Sequence, residues 1–332
     1  MNIQFFRDKL FSIGPDEFED HALELFRWQA VQNPVYRQYL EALRVDPLRV
    51  SGLAEIPFLP VSFFKNHKVL TMEAAASQGL NFFESSGTTG QRRSRHYVDD
   101  EAFYLQVCRH AFERAYGSLQ DFHIFALLPS YLEREHASLV SMADYFIRES
   151  ASPLSGFFLK NDQELLDRIA AAQSDGRQVM LLGVTFALLQ LAESAQADLH
   201  DVIVMETGGM KGRGREMIRE ELHKTLCRGL GVPAIHAEYG MTELFSQAYA
   251  QGEGRFFAPP WMRLMLRDIN DPFYFDNHLR YGGINVIDLA NVHSCAFIET
   301  QDLGRFHQDG SFEVLGRFDN SDTRGCNLMV SL

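Results

Sequence analysis

Apolar residues recur at helical spacing near the start of the chain. Phe18, Ala22, Leu25, Phe26 and the run 28–30 fall on one face, and residues 2–45 read as helices punctuated by Pro34 and Pro47. The segment IPFLPV at 56–61 is too rich in proline for a helix interior and predicts an extended connector. From about residue 80, short apolar runs alternate with helical stretches. The runs at 80–84, 123–128, 156–159, 178–182, 202–206 and 234–238 read as strands. The stretches at 99–116, 136–148, 162–172, 186–193 and 213–226 read as the helices between them. This alternation predicts parallel βαβ units. After residue 255 the texture changes to short alternating runs at 262–266, 283–289 and 296–299. The stretch GRFHQDGSFEVLGR predicts a hairpin turning at Asp309-Gly310. The expected fold class is therefore α/β: parallel βαβ sheet layers covered by helices, with a smaller, mainly-β C-terminal subdomain. The expected division is 1–254 for the α/β core with its helical N-terminus and 255–332 for the mainly-β part.

Composition narrows the function classes. The chain has 332 residues, 46% of them hydrophobic, enough for a large core. Its net charge of −13 disfavours sequence-independent binding to nucleic acid, and no basic cluster fits an anionic membrane. The run Arg92-Arg93-Ser94-Arg95 stands out against this acidic background. The four cysteines, Cys108, Cys227, Cys295 and Cys326, form no CxxC pair, and the histidines form no HExxH. No stretch reaches the ~18 apolar residues of a membrane span, and the N-terminus does not read as a secretory signal. The expectation is a reduced, cytoplasmic protein. Phenylalanine is frequent, with 27 copies, either as core or as the lining of a pocket for an apolar acyl group.

Three motifs carry candidate chemistry. Ser85-Ser86-Gly87-Thr88-Thr89-Gly90 follows an apolar run and precedes the arginines. Glycines admit a polyphosphate close to the backbone, free N–H groups and hydroxyls bind its oxygens, and arginines neutralise its charge. The alternative is a polar surface turn. Glu238-Tyr239-Gly240-Met241-Thr242-Glu243 reads as a strand end leading into a helix. A glutamate there can hold Mg²⁺, which keeps most of its waters. A tyrosine can stack on a base, and a threonine hydroxyl can reach a phosphate. The alternative is a helix start capped by Thr242. Thr300-Gln301-Asp302-Leu303-Gly304, followed by Gly316-Arg317-Phe318-Asp319, places an aspartate at a strand end for ribose hydroxyls, with an arginine one hairpin later; two plain hairpin turns would give the same pattern.

The order and spacing of SSGTTG, YGMTE, TQDLG and GRFD resemble adenylate-forming enzymes, the acyl-CoA synthetases, adenylation domains and luciferases, and span 85–319. The segments IPFLPVSFFKNHKV, FFESSGTTG, METGGMKGRGREM and GRFDNSDTRGCNLMV look like the acyl-protein synthetase family of bacterial bioluminescence. The resemblance implies the fold of the N-terminal domain of adenylate-forming enzymes and use of ATP with Mg²⁺. It implies that a carboxylic acid, in that family a long-chain fatty acid, becomes an acyl-adenylate and then passes to a cysteine near the C-terminus and on to an accepting protein. By the same resemblance Ser85, Ser86, Gly87, Thr88, Thr89 and Gly90 wrap the β- and γ-phosphates. Tyr239 stacks on adenine, with Gly208 and Gly209 as the wall behind it. Thr242 contacts the α-phosphate and Glu243 holds Mg²⁺. Asp302 binds the ribose hydroxyls with support from Arg317.

The chain departs from the larger family members in two respects. They carry a C-terminal domain that contributes a lysine, whereas here no lysine follows Lys224; Lys211, Arg95 and Arg317 are the local cations. The phosphate loop has Gln91-Arg92-Arg93 where Pro-Lys is usual. Cys326 lies beside Arg324, which favours thiolate, and is the candidate acyl-accepting nucleophile; the alternative is a small apolar residue of a last strand. His96 and His236 are candidates for the acyl site. Other acceptors consistent with the motifs are coenzyme A and the arm of a carrier protein. A protein that binds nucleotide or acyl group without turnover is the non-enzymatic alternative.

Overall fold

A computed structural model describes residues 1–76, 80–86, 92–129, 136–159, 163–194, 199–208, 217–275 and 279–318. Three helices open the chain: α1 (Ile3–Lys9), α2 (Phe18–Gln32) and α3 (Pro34–Ala42). Asn33 caps α3 by accepting from the Val35 and Tyr36 amides, with Pro34 in the first helical position. The proline-rich connector is extended, and its strand β1 (Leu59–Pro60) is followed by two single turns, α4 (Phe63–Asn66) and α5 (Met72–Ala75). Strands β2 (Asn81–Glu84) and β3 (Arg95–Val98) then form a separate antiparallel pair.

The predicted alternation follows in order: α6 (Glu101–Tyr116), β4 (Phe122–Leu127), α7 (Ser138–Glu149), β5 (Gly156–Phe158), α8 (Gln163–Gln173), β6 (Gln178–Val184), α9 (Thr185–Ser194), β7 (Val202–Thr207), α10 (Arg219–Leu230) and β8 (Ile235–Tyr239). Helix α6 shows the local logic. Asp100 caps it through the Phe103 amide, and Gly117, at φ 91°, ends it. Its inner face buries Phe103, Tyr104, Val107, Cys108, Ala111 and Phe112. Each large apolar side chain so buried contributes roughly 1.5–3 kcal/mol. Strand β4 is buried at every position, as a strand covered by helices on both faces must be.

Strands β9 (Ala248–Ala250), β10 (Phe256–Phe257), β11 (Met262–Arg267), β12 (Gly282–Asp288), β13 (Phe297–Phe306) and β14 (Phe312–Arg317) follow. All but the β2–β3 pair lie in one twelve-stranded sheet, ordered β11-β12-β13-β14-β10-β9-β8-β7-β6-β4-β5, with β1 on β13. The pairs among β4 to β8 are parallel, and from β9 to β14 they are antiparallel. The β13–β14 hairpin turns at Asp309 and Gly310 as its pattern predicts. The helix expected over 213–226 is displaced: α10 runs Arg219–Leu230, because its buried leucines at 222, 226 and 230 recur every fourth residue.

The N-terminal helices lock onto the far end of this sheet. Gln29, fully buried, donates to the carbonyls of Asn291 and Val292 (2.7 Å each) and accepts from the Ala296 amide (2.9 Å). Asn33 donates to the Ser294 carbonyl at 2.9 Å. The loop between β12 and β13 is thereby fixed, and that loop holds the candidate site. Among the described residues no helix is long and apolar enough to cross a membrane.

Candidate active site

The site lies where the sheet changes from parallel to antiparallel. Strand β8, the last of the parallel set, brings its carboxyl end here, and in open α/β sheets ligands bind beyond the carboxyl ends of the strands. Strand β8 ends at Tyr239, and a side chain in place of Gly240 would meet Glu238 Oε1, which would have to turn aside. The expected helix does not form after it. Residues 240–247 make turns and lead into β9. Asp288, at the end of β12, accepts from the Phe245 amide (2.8 Å), the Ser246 amide (3.0 Å) and the Ser246 hydroxyl (2.6 Å). Its carboxylate satisfies the backbone donors that a helix would otherwise satisfy internally, so a long-range contact overrides the local signal. Burial raises the Asp288 carboxyl pKa, against the hydrogen bonds from Ser246, Phe245 and Ala290.

Two more groups hold the same turn. His96, fully buried on β3, meets the Thr242 carbonyl through Nδ1 at 2.8 Å. Asn291 donates to the Glu243 carbonyl at 2.9 Å. Burial pushes the His96 pKa down to about 4, so the ring is neutral and Nδ1 is the donor. Its ring packs between Phe64 of α4 and Phe245, and Nε2 has no partner among the described residues.

The motif segments meet through these elements. Asp302 sits inside β13, four residues before its end rather than at it, directly opposite Arg317 on β14. Its carboxylate is buried; one oxygen accepts from the Tyr239 hydroxyl (3.0 Å) and the other from Arg317 Nε (3.1 Å). The Tyr239 ring is buried against Phe256 and Phe312. Glu243 is buried beside this group. Burial raises its pKa, while a hydrogen bond with Ser94 and the charges of Arg317 and Lys65 work against the rise. Ser94 in turn pairs with Ser85: its amide donates to the Ser85 hydroxyl, and the Ser85 amide donates to its carbonyl, both at 3.0 Å. Ser85, Ser94 and Glu243 thus form one group and Arg317, Asp302 and Tyr239 another, and the charge of Arg317 acts on Glu243 between them.

Along the neighbouring strand ends, Thr207 donates to Glu238 at 2.6 Å. The Thr185 hydroxyl lies between Glu206 Oε2, at 3.0 Å, and the Gly208 carbonyl. Burial opposes ionisation of Glu206, but His223 and Arg219 hold its pKa below the usual range. Gly208 has φ 66°, the left-handed conformation that glycine adopts without strain. His236 lies apart from the Thr242 turn, facing the Tyr116 hydroxyl at 3.1 Å. Cys108 and Cys295 are buried, and burial raises both thiols, Cys295 to about 12. Many phenylalanines, including Phe18, Phe26, Phe83, Phe122 and Phe125, go to the core. Gly87, Thr88, Thr89, Gly90, Gly209, Lys211 and Cys326 lie outside the described residues.

Glu243 is a single buried carboxylate, and among the described residues no group of three or more His, Cys, Asp or Glu is arranged to hold a metal. One carboxylate fits Mg²⁺ that draws its other ligands from phosphates and water, and does not fit an all-protein metal cage. A cavity of about 620 Å³ opens beside the site, lined by α4 residues and by the β2–β3 pair. Asp288 and Asn291 went unread in the sequence, Ser94 was noted only within the arginine run, and His96, a candidate for the acyl site, instead holds the Thr242 carbonyl. The arginine-flanked position of Ser94 and the place of His96 after it were the only signals.

The architecture places the protein in a structural class. Its fold is that of the adenylate-forming enzymes, as the motif resemblance implied. Solved structures match it, each at under a fifth sequence identity. A 2-hydroxyisobutyryl-CoA ligase in complex with 2-HIB-AMP and CoA is 12% identical, with a TM-score of 0.67 over 94% of this chain and 71% of that one. An ATP-bound chimera of RpMatB and BxBclM is 19% identical, with a TM-score of 0.54 over 71% of this chain. O-succinylbenzoate coenzyme A synthetase from Bacillus subtilis, with ATP and magnesium, is 16% identical, with a TM-score of 0.51 over 71% of this chain. The chain spans about half the length of the last two, 47% and 49%. No protein-family model and no curated protein matches the sequence.

Proposed function

We propose that this protein activates a carboxylic acid with ATP to an acyl-adenylate and transfers the acyl group to a thiol. The observation that carries the reading is the Tyr239–Asp302–Arg317 cluster beside buried Glu243, joined through Ser94 to the start of the SSGTTG segment. The Asp302 carboxylate accepts from ribose hydroxyls, with Arg317 paired to it. The Tyr239 ring offers the adenine contact. The Thr242 hydroxyl reaches the α-phosphate, and Ser85 and Ser86 begin the phosphate-binding segment. Glu243 would hold Mg²⁺, which supplies neutralisation of phosphate charge.

In the reaction, a carboxylate oxygen attacks the α-phosphorus in line. The bond from the α-phosphorus to the bridging oxygen breaks, and pyrophosphate leaves with the electron pair. A thiolate then attacks the acyl carbon and AMP leaves. The protein's part is positioning and electrostatic stabilisation. His96, Asn291 and Asp288 hold the Thr242–Glu243 turn in place for that purpose.

The motif resemblance supports a fatty acid as the substrate and Cys326 as the first acyl acceptor, with a partner protein as the next. Carboxylate-dependent ATP–pyrophosphate exchange, screened across acyl chain lengths, tests the first step; no exchange with any acid overturns it. Incubation with ATP and labelled acid tests the second, and undiminished thioester label in Cys326→Ala removes that assignment. Coenzyme A is the second candidate acceptor, because the 2-hydroxyisobutyryl-CoA ligase that shares the fold was solved with it. Hydroxylamine trapping with each thiol added in turn separates the two.

A further inference from the structure

The cavity of about 620 Å³ beside the site is lined by Phe64, Lys65, Asn66, His67, Lys68, Glu84, Arg92, Arg93, Arg95 and Tyr97, so among the described residues five basic side chains face one carboxylate. That ratio runs against a chain of net charge −13. Glu84 engages Arg93 at 2.7 Å and Arg95 at 3.1 Å. Among the described residues Arg92 reaches Asn66, at 3.5 Å, and Lys68 lies over the Tyr97 ring. Among the described residues neither lysine has a carboxylate within ion-pair distance. Like charges gathered in one concavity repel unless an anion sits between them.

Lys65 belongs to an anchored element, α4, and Lys68 follows shortly after its end. Phe64 of α4 is buried edge-on against His96, the same ring that meets the Thr242 carbonyl. Lys65, next in sequence, is close enough to Glu243 to stabilise its charge. The cavity is thus linked to the acidic residue of the site through the charge of Lys65, one of its lining residues.

We propose that this cavity seats the polyphosphate of the nucleotide, with Lys65 and Lys68 of the α4 segment and Arg92 as its binding residues. The inference rests on the nucleotide reading above and adds to it a lysine-bearing wall from the N-terminal part of the chain. Pyrophosphate, once released from the α-phosphorus, lies among these cations, and the same side chains receive it for the reverse reaction.

Titration calorimetry of the full chain with inorganic pyrophosphate and with tripolyphosphate tests this directly. Lys65→Ala/Lys68→Ala should weaken pyrophosphate binding at least tenfold, Lys65→Arg/Lys68→Arg should restore most of it, and Lys224→Ala should leave it unchanged. Both lysines are outside the core, and a thermal melt verifies that the variants fold. Pyrophosphate binding that is absent in the parent, or equal in the double alanine variant, overturns the proposal. If exchange fails with every acid while the lysine variants still lose pyrophosphate, the cavity assignment stands and the adenylation reading falls. If exchange persists in the double variant with an unchanged KM for ATP and unchanged pyrophosphate binding, adenylation stands and the cavity assignment falls.

Discussion

At the residue scale the site sets the buried carboxylates of Asp302 and Glu243 against the exposed Arg317. Asp302 is nearly fully buried and accepts from Tyr239 and Arg317. Replacing it with alanine leaves the Tyr239 hydroxyl without its acceptor and removes the ribose-binding carboxylate. ATP affinity, read by calorimetry, should fall at least ~10-fold, as hydrogen bonds to charged groups contribute about 1.5–3 kcal/mol. His96 gives a pH prediction. Its folded pKa of about 4 lies below the ordinary value of 6.5, so between these values the unfolded chain takes up a proton that the folded chain refuses. Its contribution is fully present above pH 6.5 and declines as pH falls toward 4, by up to about 3 kcal/mol. His236, also lowered to about 4 by burial, acts in the same direction. Urea unfolding at pH 7, 5.5 and 4.5 should show this loss, and His96→Gln should flatten part of the slope. An unchanged slope in that variant would contradict the assignment.

At the element scale the decisive object is the turn after β8. Its conformation depends on Asp288 of β12, Asn291 of the β12–β13 loop and His96 of β3. Asp288→Ala leaves the Phe245 and Ser246 amides buried without acceptors, at about 1–3 kcal/mol each. The urea midpoint should fall accordingly, and in folded protein the Mg²⁺ concentration needed for half-maximal exchange should rise because Glu243 is displaced. A variant that loses stability yet keeps the Mg²⁺ dependence would make Asp288 merely structural. The strands and helices around this turn were readable because buried parallel strands are continuous apolar runs and covering helices show one apolar face. Strands β9 and β10 escaped because they have only three and two residues. Such lengths leave no periodicity to detect. The helix expected after Tyr239 failed because its capping pattern is local and the Asp288 contact is not.

At the scale of the whole molecule, one sheet carries both the parallel and the antiparallel segments, and the site sits at their junction. The N-terminal helices contribute through Gln29 and Asn33, more than 250 residues from their partners, by fixing the loop that holds Glu243. Gln29→Ala should therefore lower exchange activity as well as stability, although it lies outside the crevice. Exchange and urea midpoint measured on the same variant check this; full activity in the folded variant would break the link. The basic cavity adds an electrostatic signature. Pyrophosphate binding should weaken as salt is raised from 0.05 to 0.5 M, a range over which the screening length falls from roughly 14 to 4 Å.

The order of strands and helices, the motif segments and the acidic surface were set by local chemistry: apolar periodicity, turn residues and charge, each legible over a few neighbours. Tertiary structure alone decided that Asp302 lies mid-strand against Arg317, that a buried aspartate replaces a helix, and that His96 meets the Thr242 carbonyl. Those outcomes depend on backbone donors and charges meeting across hundreds of residues, where satisfying a buried polar group outweighs any local preference.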